Sequence, residues 1–103
     1  MTGKYAVIFS STKFNLDTTY LSLDDDLMAL AKTQEGFLGY ESVSNGNQSI
    51  FISYWSSTEH INSWKNNARH LYAKSKVAEW YDRYLSQVCF IESSHEWNRK
   101  SDS

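Results

Sequence analysis

Proline is absent from all 103 residues, and only four glycines are present. Nothing in the chain locks φ or removes a backbone donor, so no element is broken by a proline and boundaries must come from other signals. Cysteine is nearly absent as well. Cys89 stands alone, which excludes an intramolecular disulfide, and a Cys/His metal site needs more ligands than one cysteine and three scattered histidines supply. No metal is therefore expected. No apolar run approaches the roughly 20 residues that cross a bilayer. The N-terminal MTGKYAVIFSSTK has an apolar part confined to Tyr5–Phe9, with no small-residue cleavage site of a secretory leader. A cytoplasmic chain with no membrane partner is expected. Charge of one sign is lacking too: the net charge is −2, with acids and bases interspersed, so no field is available to hold nucleic acid. The one acidic run, Asp24-Asp25-Asp26, falls inside a helical pattern and reads as a solvated face.

What the chain has is aromatic residues. They make up 16% of it, and the stretch from Ser49 to Tyr84 holds three of four tryptophans, four of seven tyrosines and two of three histidines. A surface loop has no use for so many rings, whereas a strand and helices around an aromatic-lined pocket do. The length suits a single domain, 1–103, with an ordered core of about 4–97; such a domain buries roughly 65% of the surface its unfolded chain exposes.

Tyr5, Val7 and Phe9 alternate with Ala6, Ile8 and Ser10, predicting a first strand that is apolar on most of both faces. From Asp17 as N-cap, Tyr20, Leu23, Leu27, Leu30 and Ala31 recur at helical steps, and Gly36 supplies a left-handed stop after a helix ending near Gln34. Phe37–Ser44 and Gln48–Trp55 are β-rich runs around Asn45-Gly46-Asn47, a hairpin signal. Ser56 and Glu59 stand at capping-box spacing and open a second helix with Ile61, Trp64 and Ala68 on one face. Asn66-Asn67 are weak helix formers and predict a break, with a further helical stretch from Leu71 to Tyr81. Leu85–Glu92 alternates as a last strand, and Asn98–Ser103 reads as a disordered end.

The order β, α, β, β, α, β, with the second α divided, is the ferredoxin-like α+β pattern with a four-stranded antiparallel sheet. Helices cover one face of such a sheet. Strand three places Ile50, Ile52 and Tyr54 on one side and Phe51 and Trp55 on the other, and strand four is similarly two-faced. A sheet apolar on both faces needs a second cover, so a homodimer with facing sheets is expected.

GFLGYES at Gly36–Ser42, SYWSSTEHINSWK at Ser53–Lys65, Ala68-Arg69-His70 and EWYDRY at Glu79–Tyr84 resemble the antibiotic biosynthesis monooxygenase (ABM) superfamily. The resemblance is to its small stand-alone bacterial branch, grouped with heme-degrading monooxygenase-like proteins, and it covers about residues 4–97. It implies a dimeric α+β barrel with a cavity between each sheet and its helices. For activity it implies a cofactor-independent monooxygenase that uses O₂ on a small aromatic or quinol-like substrate. The alternatives are a non-catalytic dimer binding a small hydrophobic or aromatic ligand, or heme binding and degradation. The heme-degrading pattern is met poorly. Trp64 matches its tryptophan, but Lys74 stands where its histidine belongs and Ser10 and Ser11 where its strand-one asparagine belongs. Glu35 also replaces the proline usual before the glycine of that branch.

His70 is the best candidate base, because an imidazole titrates near neutrality and can take a proton from a phenol or hydroquinone. A buried, hydrogen-bonded structural histidine is the competing reading. If the helix were broken at Asn66-Asn67, His70 and Trp64 could both point inward. Trp64 is then a catalytic or pocket-wall residue, or simply core. Tyr54, Tyr72, Trp80 and Tyr81 are candidate substrate-binding rings. Asn66 and Arg83 are candidate donors to a developing oxyanion.

Overall fold

A computed structural model describes residues 4–13, 28–74 and 81–99, and only the backbone at 69–74. Within these residues the elements are β1 (Tyr5–Lys13), α1 (28–33), β2 (Phe37–Asn45), β3 (Gln48–Trp55), α2 (Thr58–Lys74) and β4 (Tyr81–Phe90). The strands form one antiparallel sheet in the order β2-β3-β1-β4. β1 and β2 both run antiparallel to the strand between them, so they are parallel to each other and joined through α1. This is the split βαβ arrangement of a ferredoxin-like α+β fold.

The hairpin forms where Asn-Gly appears in the sequence. Asn45 pairs with Gln48, leaving Gly46 and Asn47 as the two-residue turn, and Gly46 takes φ 62°, a conformation that favours glycine. Gly36 also stops the chain after α1 as expected, with φ 84°. Its carbonyl accepts from the Ser56 amide at 2.9 Å, which ties the start of β2 to the end of β3.

Three local expectations are corrected. The second helix is one unbroken element, Thr58–Lys74, through Asn66-Asn67. The poor intrinsic propensity of asparagine, about 0.6 kcal/mol per residue against alanine, is outweighed by burial on both sides. Trp64 and Ala68 sit in the core at 8% and 4% exposure, and Asn67 Nδ2 donates to Gln34 Oε1 at 3.1 Å. The helix cap is one residue later than the spacing suggested. Ser57 Oγ accepts from the His60 amide at 3.3 Å and also lies 2.8 Å from His60 Nδ1, so Ser57 rather than Ser56 caps the helix and His60 rather than Glu59 stands three residues on. Finally, Tyr81 begins β4 rather than ending a helix. It pairs with Lys13, and a bulge leaves Asp82 unmatched between the pairs Thr12–Arg83 and Lys13–Tyr81. The proposed cap at Asp17 and the polar end beyond Arg99 lie outside the described residues.

The core is Val7, Ala31, Trp55, Ile61, Trp64 and Ala68, with Tyr5, Leu30 and Phe37 packed against it. Strand alternation then assigns the faces. Tyr5, Val7, Phe9, Ser11 and Lys13 share the helix-facing side with Ser49, Phe51, Ser53 and Trp55 of β3 and with Tyr81, Tyr84 and Val88 of β4. Ile8, Ser10, Thr12, Ile50, Ile52, Tyr54, Arg83 and Leu85 lie on the other side. Among the described residues no helix is long and apolar enough to cross a membrane.

Candidate functional site

The helix-facing side of the sheet changes character along β1. At one end it is a packed core in which Trp55 and Trp64 lie 5.4 Å apart between ring centroids at 37°, and Phe37 meets Trp55 edge-on at 5.4 Å. In the middle it is a cluster of rings. Phe9 stacks on Tyr84 at 5.5 Å, Tyr81 meets Phe9 at 6.2 Å and Tyr84 at 5.7 Å, and Tyr40 stacks on Phe51 at 5.6 Å. At the far end it becomes polar and charged. Lys13, only 4% exposed, donates from Nζ to Ser49 Oγ at 2.8 Å, and Ser49 Oγ lies 3.1 Å from the equally buried Ser11 Oγ. A surface that grades from indoles through phenols to an ammonium suits a flat, partly polar ligand.

The two packed indoles differ in one respect. Trp55 Nε1 donates to Ser53 Oγ at 2.8 Å, and both residues are buried. Trp64 Nε1 is buried without a hydrogen-bond partner among the described residues. An unsatisfied buried donor costs about 1–3 kcal/mol, so native chains keep few of them, and a site that awaits an acceptor is one place where they persist.

Sequence-derived site residues fall into four groups. Trp64 and Tyr81 are on the helix-facing side and buried. Tyr54 and Arg83 are on the opposite face, so neither joins Trp64. Burial pushes the Tyr54 phenol above its ordinary 10.0, and the Glu41 carboxylate, which accepts its hydrogen at 3.0 Å, pushes it further. Arg83 is exposed at the edge of an open concavity of about 260 Å³ near the β2–β3 turn, with Thr12, Gln48 and Ile50 in its lining. Asn66 is exposed on α2. His70 and Tyr72 belong to α2, but their side chains, and all of Trp80, lie outside the described residues. Because α2 is continuous, six steps of about 100° put position 70 some 120° around the helix from position 64. The expected break that would realign them is not there.

Phe9, Ser11, Lys13 and Ser49 also lie on this surface, and sequence reasoning did not single them out as candidates. The signal was the alternation of β1, which continues past Phe9 through Ser11 to Lys13 and so carries a lysine onto the covered side. Heme finds no axial ligand in the described part of this surface. His60 is taken up by Ser57 and by Glu35 at 3.7 Å, and His95 is exposed on the C-terminal segment. Among the described residues no group of three or more His, Cys, Asp and Glu could hold a metal ion.

Residues 13–98 match the model of a family described as monooxygenase af470-like. The chain belongs to the monooxygenase af470-like family. It is 41% identical over 90 residues to the uncharacterized protein YqjZ of Bacillus subtilis, covering 85% of this chain and 79% of YqjZ. Its fold is similar to that of SnoaB, a cofactor-independent oxygenase from Streptomyces nogalater, with a TM-score of 0.75 at 10% identity over 90% of this chain and 97% of SnoaB. It is also similar to a ferredoxin-like DABB protein from Mesorhizobium loti, with a TM-score of 0.67 at 7% identity over 89% of this chain and all of the other. For this family member, as for the two structures, the four-stranded sheet with helices on one side is the shared frame.

Proposed function

We propose that this af470-like chain is a cytoplasmic, cofactor-independent monooxygenase that oxidises a small aromatic or quinol-like substrate with O₂. The observation that carries the reading is the buried Trp64 N–H, unpartnered among the described residues and set beside a surface of stacked rings. An oxygen of the substrate supplies the missing acceptor. The bound ring then lies along the Phe9, Tyr81 and Tyr84 cluster, with Tyr72 and Trp80 as further walls.

In the step itself the base, a role we assign to His70 although the continuous α2 sets position 70 some 120° from Trp64, takes an acidic hydrogen from the substrate and leaves an electron-rich anion. That anion reduces O₂ directly. For a ring-flanked methylene the balance is one CH₂ and one O₂ giving one carbonyl and one water, so all four electrons come from the substrate and no external reductant is consumed. The protein's part is to position the ring, exclude water and hold the anion. Oxygen uptake on an anthrone- or hydroquinone-like compound, lost in His70→Ala and reduced in Trp64→Phe, is the expected result. Ligand-induced stabilisation with no oxygen uptake would convert the reading to a binding protein. A Soret shift with product under a reductant would convert it to heme chemistry.

The working form in this proposal is a homodimer. On the face away from the helices Val43, Ile50 and Leu85 are 69%, 43% and 40% exposed, and Ile8 and Ile52 lie among them. A second copy covering that face removes this apolar area from water, which stabilises association. Light scattering at micromolar concentration is expected to give twice the chain mass; a monomer would refute the dimer.

A further inference from the structure

We infer that the face of the sheet away from the helices carries a second site, a seat for a small carboxylate with an apolar tail, built on Arg83. This site is separate from the aromatic surface and does not rest on the oxygenase reading.

Strand register lays that face out in rows. Asn45 pairs with Gln48, Gln48 with Thr12 and Thr12 with Arg83, so one transverse row across the four strands presents two carboxamides, a hydroxyl and a guanidinium side by side. Neighbours in such a row stand about 4.5–5.5 Å apart at Cβ, close enough for one planar ligand group to meet several of them. The next row on the same face is Val43, Ile50, Ser10 and Leu85, and its three apolar members are exposed. The concavity of about 260 Å³ opens over both rows, lined by Thr12, Asn45, Gln48 and Arg83 from the first and by Val43 and Ile50 from the second.

Charge decides what this concavity takes. None of the described residues that line it is acidic, and Arg83 enters no ion pair among the described residues. The carboxylate that the described strand pairs put on this face is Glu41, two rows away from Arg83 and engaged with the Tyr54 hydroxyl. Asp82 is left out of the pairing by the bulge and is exposed. A guanidinium offers a flat fork of donors that fits a carboxylate with two parallel hydrogen bonds, and the flanking carboxamides and hydroxyl add further donors. One cation balances one negative charge, which suits a monocarboxylate over a phosphate dianion. The volume falls below the roughly 300–1,000 Å³ of sites for drug-sized ligands, so the tail is short. It lies along Val43 and Ile50. The polar row is the last before the Gly46–Asn47 turn and borders the apolar area assigned above to a second copy. Cover by that copy shields the tail and leaves the carboxylate end at the margin, in the usual order of apolar centre and polar rim.

The full-length chain is titrated with hexanoate, with acetate and with the neutral hexanamide, by calorimetry and by backbone amide NMR shifts. Hexanoate is expected to bind and to move the amide signals of Thr12, Gln48 and Arg83. Acetate lacks the tail and hexanamide lacks the charge, so each is expected to bind at least about tenfold more weakly. Arg83→Gln is expected to weaken hexanoate to the level of hexanamide, and Arg83→Lys to retain part of the affinity, because an ammonium keeps the charge without the fork. If Arg83→Gln does not fold, Thr12→Val carries the test and is expected to weaken hexanoate about two- to threefold. No hexanoate binding, equal binding by wild type and Arg83→Gln, or shifts confined to the aromatic side overturns the site. Binding of inorganic phosphate in place of hexanoate overturns the carboxylate assignment. If Arg83→Gln halves the mass in light scattering while hexanoate has no effect, Arg83 serves the contact between copies and the ligand site falls. None of these results bears on oxygen uptake, so the oxygenase reading stands or falls separately.

Discussion

Trimming each of the two core indoles to phenylalanine should have opposite consequences for hydrogen bonding at nearly equal loss of ring area. Trp55 and Trp64 are in contact at 5.4 Å and are 0% and 8% exposed, so the packing terms of Trp55→Phe and Trp64→Phe are similar and largely cancel in the difference. The polar terms do not cancel. Trp55→Phe removes the 2.8 Å bond to Ser53 Oγ and leaves that hydroxyl, in a residue only 1% exposed, without its donor. The lost bond and the stranded oxygen together amount to about 1–3 kcal/mol. Trp64→Phe instead deletes a donor with no described partner and recovers about 1–3 kcal/mol of its desolvation. Trp55→Phe should therefore be the more destabilising by about 2–6 kcal/mol, which for a domain of this size separates the melting temperatures by roughly 10 °C or more. Urea unfolding of both variants with matched m-values reads the difference directly. Equal losses within about 0.5 kcal/mol, or a larger loss in Trp64→Phe, would refute the claim that the Trp64 N–H is unsatisfied, and the acceptor-binding role would fall with it. With an aromatic ligand bearing an oxygen acceptor present, the ranking should reverse for affinity, Trp64→Phe binding more weakly by up to about tenfold.

Gly36→Ala should destabilise by about 2–5 kcal/mol. Positive φ costs a non-glycine residue about 1–2 kcal/mol and the new Cβ would press on the His60 ring, an overpacking term of about 1–3 kcal/mol. Adding His60→Ala is expected to recover only the steric part, and full recovery in urea unfolding would show that φ carries no strain. The Tyr54 phenol should ionise above 10.0 in the folded state. A raised folded pKa means that its contribution to stability is complete below the unfolded value and disappears as pH rises through the folded one. Tyrosinate absorbance should show this midpoint moving down in Glu41→Gln, and an unmoved midpoint would remove Glu41 as a cause. Asn67→Ala trades an exposed bond to Gln34 for a better helix former and should change stability by no more than about 0.5 kcal/mol; a loss above about 1.5 kcal/mol in thermal melts would show that this tie to the turn after α1 holds α2 in place.

Much of the fold was legible because its signals are local. Period-two runs marked β1, β2 and β3, the β3 bounds Gln48–Trp55 are those of the structure, and Asn-Gly located the hairpin. The element order β, α, β, β, α, β gave the ferredoxin-like arrangement before any pairing was visible. The boundaries that were misplaced depend on distant partners. Asn66-Asn67 look like a break until Trp64 and Ala68 are seen packed on Trp55 and Val7, and Tyr81 looks helical until Lys13 takes it into the sheet. The site divides in the same way. Ring density and the indole at position 64 were apparent in the sequence, and so was a lysine at position 13, but not its meaning.

By itself the sequence determined the periodicities and the turns, because each follows from residues within a few positions of one another. Tertiary structure alone decided which face each residue serves. β1 pairs in register with both neighbours, so one alternation sends Lys13, Ser11 and Phe9 to the covered side with Trp64, and sends Tyr54 and Arg83 to the other. Only that pairing buries Lys13 on the side of the sheet that carries the stacked rings.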